Sequence, residues 1–420
     1  MNREIAVVYG AGATRDSGYK MRVKPGSNDP PQLIDPPLNS KFFKEDIIKN
    51  TLAFESIRFF VEKYFAVPDG TNNRNCDLDL EEVWSAVDLN HKHIGLGTYD
   101  WKSVSDDYLH NRVRRENLDW EDMRDDPTAP GRKNPSERKF LGDCGRDLKR
   151  LCHHIYGDSQ LPDSLQNGAD NYSSLHFLLT GMEYKVEYIT FNYDTCLEKS
   201  LDARDVPVQY VTDYGIPNVG FVQKSVHVAK LHGSLNWELN KSLVRPLEIK
   251  VPPIPYVKDN FLAVEPRYPN RFQPDIAVTE PLIIPPTWFK NEINDDSRAE
   301  NRVTQLILHQ WRVALEILRR ADLIIVVGYS FPVTDFHVQR LFRLALMGRA
   351  NADSLRLLYC TKADDGREAK QRLSFLKISD DKLLVEINGF STLCQQNCLQ
   401  EHLKTLGMPV TPKEKGAVLA

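Results

Sequence analysis

The chain has 420 residues, of which 41% are hydrophobic and 27% are charged, and its formal net charge is -4. A charge so close to neutral excludes a whole-surface electrostatic footprint for nucleic acid, so no nucleic-acid partner is expected. We find no apolar run near the roughly 18 residues of a membrane span and no charged-then-apolar leader at Met1. The composition therefore predicts a globular, cytoplasmic protein without a membrane partner.

The seven cysteines are odd in number and scattered along the chain, which indicates reduced thiols. Two Cys-x-x-Cys pairs, the spacing of a zinc ribbon, do not occur, and no metal is expected. Cys394 and Cys398 fall one helical turn apart and are predicted to line a buried face.

The first motif is a β-branched run at residues 4–9, which leads directly into Gly-Ala-Gly-Ala-Thr at residues 10–14. A strand that feeds a glycine turn is typical of phosphate-binding loops, because glycine lets backbone N–H groups approach a pyrophosphate. The dehydrogenase fingerprint would place glycine at position 15, where this chain has Arg15. Residues 29–37 contain too many prolines for a central second strand, so a nicotinamide-dependent dehydrogenase is disfavoured.

Two further strand-like runs each end in a polar residue. Residues 187–191 lead to Asn192, and residues 225–229 lead, three residues later, to His232. Ligands of open α/β sheets lie outside the carboxyl ends of the strands. We therefore expect the Asn192 amide and the His232 imidazole to face one crevice. Asp194 is expected near the N-terminus of the next helix, where a carboxylate suits the helix dipole.

Strand and helix patterns alternate through the C-terminal half of the chain. A helix is predicted over about residues 298–320, a buried strand over 321–327 and a turn at Gly328. Alternation of this kind predicts an α/β fold, a Rossmann-like parallel doubly wound sheet.

Between these strand-rich parts, the sequence has helical periods and charge-rich connectors without a convincing strand. The predicted organisation is a catalytic domain of residues 1–37 and 180–420, interrupted by an inserted helical domain of residues 38–179. The insertion would supply an oligomer or partner surface, or a lid over the pocket, and the sequence favours neither.

Four segments resemble the motif boxes of sirtuins and occur in that family's order. Thr-Phe-Asn-Tyr-Asp at 190–194 resembles the Thr-Gln-Asn-x-Asp box, Leu-His-Gly at 231–233 the catalytic His-Gly, and Gly-Tyr-Ser-Phe at 328–331 the Gly-Thr-Ser-Leu segment. The N-terminal loop fits the family's Gly-Ala-Gly-x-Ser-x-x-x-Gly pattern, with Thr14 in place of serine and Gly18 in register.

The resemblance covers the first ~18 residues and the chain from about residue 185 to 335. The chain departs from the family in residues 19–23, which lack the aspartate that contacts the nicotinamide amide in sirtuins. It also lacks the cysteine pairs of the zinc ribbon that typical deacylase sirtuins carry.

The resemblance implies that NAD is the substrate, and it assigns roles to individual residues. Asn192 would hold a water and a ribose hydroxyl, His232 would accept a proton during attack, and Asp194 would steady the Asn192 loop. The other candidate residues would hold the pyrophosphate and adenosine parts of NAD: Gly10, Ala11, Gly12, Thr14, Gly18, Gly328 and Ser330.

Three functions remain open. The first is an NAD+ glycohydrolase (NADase) resembling the sirtuin-like effectors of bacterial anti-phage defence, for which a homo-oligomer and a HerA-type ATPase or helicase partner are expected. The second is an NAD-dependent protein deacylase, which would need an acyl-lysine channel. The third is a non-catalytic regulatory subunit that binds NAD. The altered loop, the absent zinc ribbon and the large insertion favour the first.

Overall fold

The computed structural model describes residues 3–23, 32–38, 42–43, 55–65, 80–92, 135–156, 159–160, 170–210, 225–239, 249–250, 281–284, 298–332, 335–349, 355–362 and 365–410. Much of the predicted insertion, including residues 66–79 and 93–134, lies outside the described residues. Among the described helices, none is both long enough and apolar enough to cross a bilayer.

The strands are β1 Glu4–Tyr9, β2 Lys20–Val23, β3 Gln32–Ile34, β4 Ser159–Gln160, β5 Lys185–Thr190, β6 Val208–Tyr210, β7 Val226–Lys230, β8 Gly233–Leu239, β9 Ile249–Lys250, β10 Pro281–Ile283, β11 Leu323–Val327, β12 Arg356–Cys360 and β13 Leu383–Glu386. The helices are α1 Ala11–Arg15, α2 Glu55–Tyr64, α3 Leu80–Lys92, α4 Pro135–Tyr156, α5 Asn171–Gly181, α6 Cys196–Asp202, α7 Arg298–Arg320, α8 Phe336–Met347, α9 Gly366–Arg372, α10 Phe390–Leu393 and α11 Gln396–Thr405. Two 3-10 turns cover Ser374–Leu376 and Asp380–Lys382.

Seven strands form the main sheet in the order β13-β12-β11-β1-β5-β7-β6. Every neighbouring pair in it is parallel. The predicted α/β fold, a Rossmann-like parallel doubly wound sheet, is thereby confirmed. After β1 the chain forms β5, β6 and β7 on one side of it. It then forms β11, β12 and β13 on the other side, so the strand order reverses between β1 and β11. In folds of this kind, that reversal opens a crevice at the carboxyl ends of the strands.

The side chains of β1 alternate between two apolar layers, as the period of two in a strand requires. Ile5 and Val7 pack into a cluster that contains residues of α5 and α11. Ala6 and Val8 face the opposite cluster, which contains residues of α7 and α8. Helices therefore cover both faces of the sheet, which explains why β11 is a continuous apolar run with all five residues buried.

Helices α2, α3 and α4 supply most of a third apolar cluster, which also contains Tyr193, Leu235 and Ile283. Buried residues of α4 recur at helical spacing: Phe140, Cys144, Leu148, Leu151 and Ile155. Helix α2, Glu55–Tyr64, lies in the part of the chain where the sequence has helical periods. The two-residue β4 pairs with β2, and a strand so short leaves no readable pattern in the sequence.

Helix α5 falls mostly within the predicted insertion, yet it packs on the sheet. Tyr172, Leu175 and Leu179 belong to the same cluster as Ile5 and Val7. The domain boundaries at residues 37 and 180 stay predictions, since no observation defines two separate units.

Candidate functional site

Two loops meet backbone to backbone where the strand order reverses. The N–H of Gly10 donates to the Val327 carbonyl at 3.0 Å, and the N–H of Gly12 donates to the Gly328 carbonyl at 2.9 Å. Gly328 has φ +64°, and a Cβ there would lie 2.1 Å from the Ala13 nitrogen. Glycine is therefore required here because the two loops touch. The N–H groups of Gly10 and Gly12 are predicted to bind a pyrophosphate. In the structure both donate hydrogen bonds to the carbonyls of the other loop.

A cavity of about 980 Å³ opens at the carboxyl ends of the central strands. It brings together nearly all the residues predicted for the site: Ala11, Gly12, Thr14, Gly18, Asn192, Asp194, His232, Gly328 and Ser330. Gly10 is not among the lining residues, but its carbonyl accepts a hydrogen bond from the Asn192 amide. The two polar strand ends and the glycine loop thus share one cavity, while their catalytic and binding roles stay predictions.

The Thr14 hydroxyl is the centre of the site's hydrogen bonds. It donates to Asp194 Oδ2 at 2.8 Å and accepts from Asn192 Nδ2 at 2.9 Å. Its third contact, with the Tyr172 hydroxyl at 2.9 Å, must therefore be one that Tyr172 donates. Burial, and then the nearby Asp194 carboxylate, raises the pKa of Tyr172 well above its ordinary value, so the phenol keeps this proton.

A hydroxyl has one donor and two acceptor positions, and Thr14 uses all three within the protein. In this structure the Thr14 hydroxyl is therefore fully used by protein partners, and its contact with a pyrophosphate stays a prediction. Thr14 instead ties the glycine loop to the segment that carries Asn192 and Asp194, two stretches of chain about 180 residues apart.

The Asn192 side chain is held with one polar atom left for a ligand. Its Nδ2 donates both hydrogens, to the Gly10 carbonyl at 2.9 Å and to Thr14 Oγ1 at 2.9 Å. The carboxamide oxygen is the remaining polar atom, and an oxygen of this type only accepts. Asn192 can therefore accept a hydrogen bond from an O–H group in the cavity but cannot also donate one. Its predicted role is limited to that of an acceptor.

Asp194 shapes the same segment from two sides. Its Oδ1 accepts the N–H of Cys196, the first residue of α6, at 3.0 Å, so the carboxylate lies near the N-terminus of this helix as predicted. Its backbone carbonyl accepts from Lys230 Nζ, and that ammonium also pairs with Glu198 at 2.8 Å. Lys230 is fully buried, at 0% exposure. The structure thus contains a buried ion pair directly behind the Asn192 segment.

Further polar groups support the Glu198 end of this ion pair. The Tyr210 hydroxyl donates to Glu198 Oε1 at 2.9 Å, and Asn236 Nδ2 donates to the Tyr210 oxygen at 3.0 Å. Ser234 Oγ donates to Asn236 Oδ1 at 2.5 Å. Because buried charges are tolerated when they are paired and hydrogen-bonded, this network allows a lysine inside the sheet.

His232 lies in the turn that follows β7, and only 7% of it is exposed. Its ring centre is 5.5 Å from that of Phe191, 6.1 Å from Tyr193 and 6.4 Å from Trp311. Ile284 donates its N–H to the His232 carbonyl at 2.8 Å, which fixes the backbone of the turn. Aromatic neighbours and this backbone bond hold the imidazole at the cavity wall.

The cavity wall carries charges of both signs. Its carboxylates are Asp16, Asp35, Glu81, Asp170, Asp194 and Asp335, and its cations are Arg15, Lys20, Lys362 and Arg372. Lys362 pairs with Asp16 at 2.7 Å, and Lys20 pairs with Asp35. The Tyr329 hydroxyl bonds to Asp335. Several of these charges are therefore balanced within the wall itself.

No family model and none of the curated proteins match this chain. Among solved structures, it is similar to "Sir2 in complex with the inhibitor EX-527, 2'-O-acetyl-ADP-ribose and deacetylated p53-peptide", at 14% identity and TM-score 0.27, over 57% of this chain and 72% of that one. It is also similar to "Sir2Tm bound to a propionylated peptide", at 14% identity and TM-score 0.30, over 64% and 83%. The strand order described above, rather than these values, defines the fold class.

Three residues that support the site were not predicted from the sequence: Lys230, Tyr172 and Glu198. Lys230 could have been found from the sequence, because it ends an otherwise apolar strand. A lysine is almost never fully buried unless it has a partner, so its position predicts a buried acidic or polar group nearby. Tyr172 carries none, since its contact with Thr14 joins residues 158 positions apart. Glu198 follows the Asn192 segment on a short helix and looks like an ordinary surface residue in the sequence.

Proposed function

We propose that this chain is an NAD+ glycohydrolase, which cleaves NAD to nicotinamide and ADP-ribose. The observation that carries the proposal is that the Asn192 carboxamide and the His232 imidazole line one cavity together with the glycine loop. The cavity volume of about 980 Å³ lies at the upper end of the roughly 300–1,000 Å³ that ligand pockets span. Such a volume suits a ligand as long as a dinucleotide.

The reaction requires little covalent chemistry from the protein. The bond between the ribose carbon and the nicotinamide nitrogen breaks, and its electron pair leaves with nicotinamide, which departs as a neutral molecule. Positive charge develops on the ribose while a water oxygen bonds to the same carbon, and that water releases one proton. The protein must hold NAD, exclude other water and orient the attacking molecule.

The two strand-end residues divide these tasks. The carboxamide oxygen of Asn192 accepts a hydrogen bond from the attacking water or from a ribose hydroxyl, which is the one kind of bond left to it. The imidazole of His232 accepts the proton that attack releases, the task for which enzymes use histidine most often. Asp194 acts indirectly, by holding Thr14 and the start of α6.

The mixed charge of the wall suits the ligand. NAD carries a negative pyrophosphate and a positive nicotinamide ring, so a wall with both signs accommodates it better than a wall of one sign. The binding contacts are assigned to Ala11, Gly18, Gly328 and Ser330, which line the cavity. Gly10, Gly12 and Thr14 shape the loop in this proposal rather than contacting phosphate.

The biological setting is proposed from the sequence resemblance. An NADase of this type would act in the cytoplasm as an anti-phage effector that depletes NAD, as a homo-oligomer and beside a HerA-type ATPase. An enzyme that destroys its host's NAD must be held inactive until it is triggered, so the partner enters the experiment below.

The test is to incubate purified full-length protein with NAD, alone and with the ATPase, and to follow nicotinamide and ADP-ribose by chromatography. We expect both products in equal amounts. Asn192→Ala and His232→Ala should each lower the rate by about 100-fold or more, the usual effect of losing one such group. The matched controls are His227→Ala, in β7, and Asn90→Ala, in α3. Both variants should cleave NAD at a rate close to that of the wild type.

The same experiment separates the other two functions when an acetylated peptide is added in a further incubation. A deacylase would release nicotinamide only when an acetylated peptide is present, and it would yield O-acetyl-ADP-ribose. A non-catalytic subunit would bind NAD without releasing nicotinamide in any state. Absence of nicotinamide release, both alone and with the ATPase, would overturn the glycohydrolase proposal.

A further inference from the structure

A second group of reactive side chains lies at the end of β13, apart from Asn192 and His232. Glu386 is the last residue of that strand, and Cys398 and His402 lie on α11. Residues four apart on a helix share one face, so the thiol and the imidazole both point toward the strand end. One potential ligand atom from each of the three residues lies within 4.8 Å of the other two.

The three atoms form a compact triangle. His402 Nε2 is 2.8 Å from Glu386 Oε2, and Cys398 Sγ is 3.4 Å from each of them. Sulfur, nitrogen and oxygen ligands around a tetrahedral zinc ion lie roughly 3.3 to 3.6 Å apart, as their bond lengths to zinc require. Two edges of the triangle already match, and the third needs to lengthen by roughly 0.5 Å.

The same triangle does not suit nucleophilic catalysis. In a Cys-His-acid triad the thiol uses one imidazole nitrogen and the carboxylate uses the other, so that a proton can pass along the chain. Here both Cys398 and Glu386 contact the same atom, Nε2 of His402.

The carboxylate is oriented from its far side. Asn388 donates its backbone N–H and its side-chain amide to Glu386 Oε1, at 2.7 and 2.8 Å, which leaves Oε2 directed at the cluster. A carboxylate whose one oxygen is fixed by hydrogen bonds and whose other oxygen faces the cluster is typical of a metal ligand and its supporting shell.

We propose that Glu386, Cys398 and His402 form a binding site for one zinc ion. Thiolate, imidazole and carboxylate together are the donor set of zinc rather than of magnesium or calcium. The fourth position is left for water, because the side chains of Cys398 and His402 are half-buried and give an ion access from solvent. The sequence predicts no metal and places Cys398 on a buried face, because one ligand of the proposed site comes from a strand and the other two from a helix that follows it.

Zinc here would fix the loop that frames one side of the main cavity. Asn388 bridges to Lys362, and the next three residues, 389–391, line that cavity. The proposal nevertheless stands apart from the glycohydrolase proposal, because binding of the ion is measured without any substrate.

The test begins with full-length protein stripped by a chelator and then titrated with zinc chloride, with bound metal counted by mass spectrometry. We expect one zinc per chain and, with cobalt instead, the charge-transfer absorption of a cobalt–thiolate bond. Cys398→Ser and His402→Gln should each weaken zinc binding by at least about 100-fold, and Asn388→Ala by about 10- to 100-fold. Cys394→Ser, four residues earlier in the chain and outside α11, is the matched control and should bind zinc like the wild type.

A wild-type measurement keeps the test independent of variant folding. Zinc should slow alkylation of Cys398 by iodoacetamide at least tenfold while it leaves the half-buried Cys394 unchanged, as followed by peptide mass spectrometry. The proposal is overturned if no zinc binds at micromolar free concentration, if Cys398→Ser binds zinc as tightly as the wild type, or if zinc leaves the alkylation rate of Cys398 unchanged.

Discussion

The hydroxyl of Thr14 offers the sharpest test of how this site is held. Thr14→Val keeps the shape of the side chain but removes the oxygen that Asp194, Asn192 and Tyr172 contact at 2.8 to 2.9 Å. Each of these buried groups then loses a partner, and an unsatisfied buried polar group costs about 1–3 kcal/mol. Because the three share one centre and relax together, their costs do not simply add, and we expect a loss of about 3–6 kcal/mol.

The matched variant is Thr14→Ser, which keeps the hydroxyl and removes one methyl group, for a loss of about 1 kcal/mol. Both variants are measured by urea unfolding of the full chain, followed by far-ultraviolet circular dichroism, with unchanged m-values as the condition for comparing free energies. If Thr14→Val unfolds within 1 kcal/mol of wild type, or if Val and Ser are equally damaging, the hydroxyl does not organise the site.

Three further predictions concern stability and use the same urea assay. Lys230→Ala leaves the Glu198 carboxylate buried without its cation and should lower the free energy of unfolding by about 3–5 kcal/mol. The double variant Lys230→Met with Glu198→Leu should recover most of that loss. Equal losses in the single and double variants would argue against an ion pair. Gly328→Ala should cost about 2–5 kcal/mol, from its φ of +64° and the clash of the new Cβ at 2.1 Å. Gly145→Ala, in α4 with open space around the new Cβ, should instead stabilise by about 0.5–1 kcal/mol, and the reverse order would contradict the loop contact. Burial lowers the pKa of His176 to about 4 from 6.5, so as pH falls below 6.5 the unfolded chain binds the proton first. Stability should therefore decline between about pH 6.5 and 4, by on the order of 3 kcal/mol, and a His176→Gln variant that keeps the full decline would exclude His176 as its source.

The sequence predicted the parts of this protein whose pattern is local. The parallel sheet follows from apolar runs that alternate with helices, and β11 shows this most clearly because both of its faces are covered. Asn192 and His232 could be found because each ends such a run, and parallel strands finish at the same edge of a sheet.

The parts that the sequence did not predict depend on contacts between distant segments. Gly12 has the identity expected of a phosphate loop, but its N–H donates to Gly328, more than 300 positions away. Thr14 has the expected type and place, yet its hydroxyl is used by partners on α5 and beyond β5. A motif states which residues are present, whereas only the folded chain decides whether their polar atoms face a ligand or one another.

Tyr193, between Asn192 and Asp194, joins the cavity to the helical cluster. It belongs to the apolar cluster that contains residues of α2, α3 and α4, and its hydroxyl donates to the Ile284 carbonyl at 2.8 Å, while Asn192 next to it lines the cavity. The peptide that orients the carboxamide is therefore joined directly to a residue of that cluster. If a molecule bound to the helices displaces Tyr193, the effect is reciprocal: that molecule and a ligand in the cavity then alter each other's affinity by the same factor.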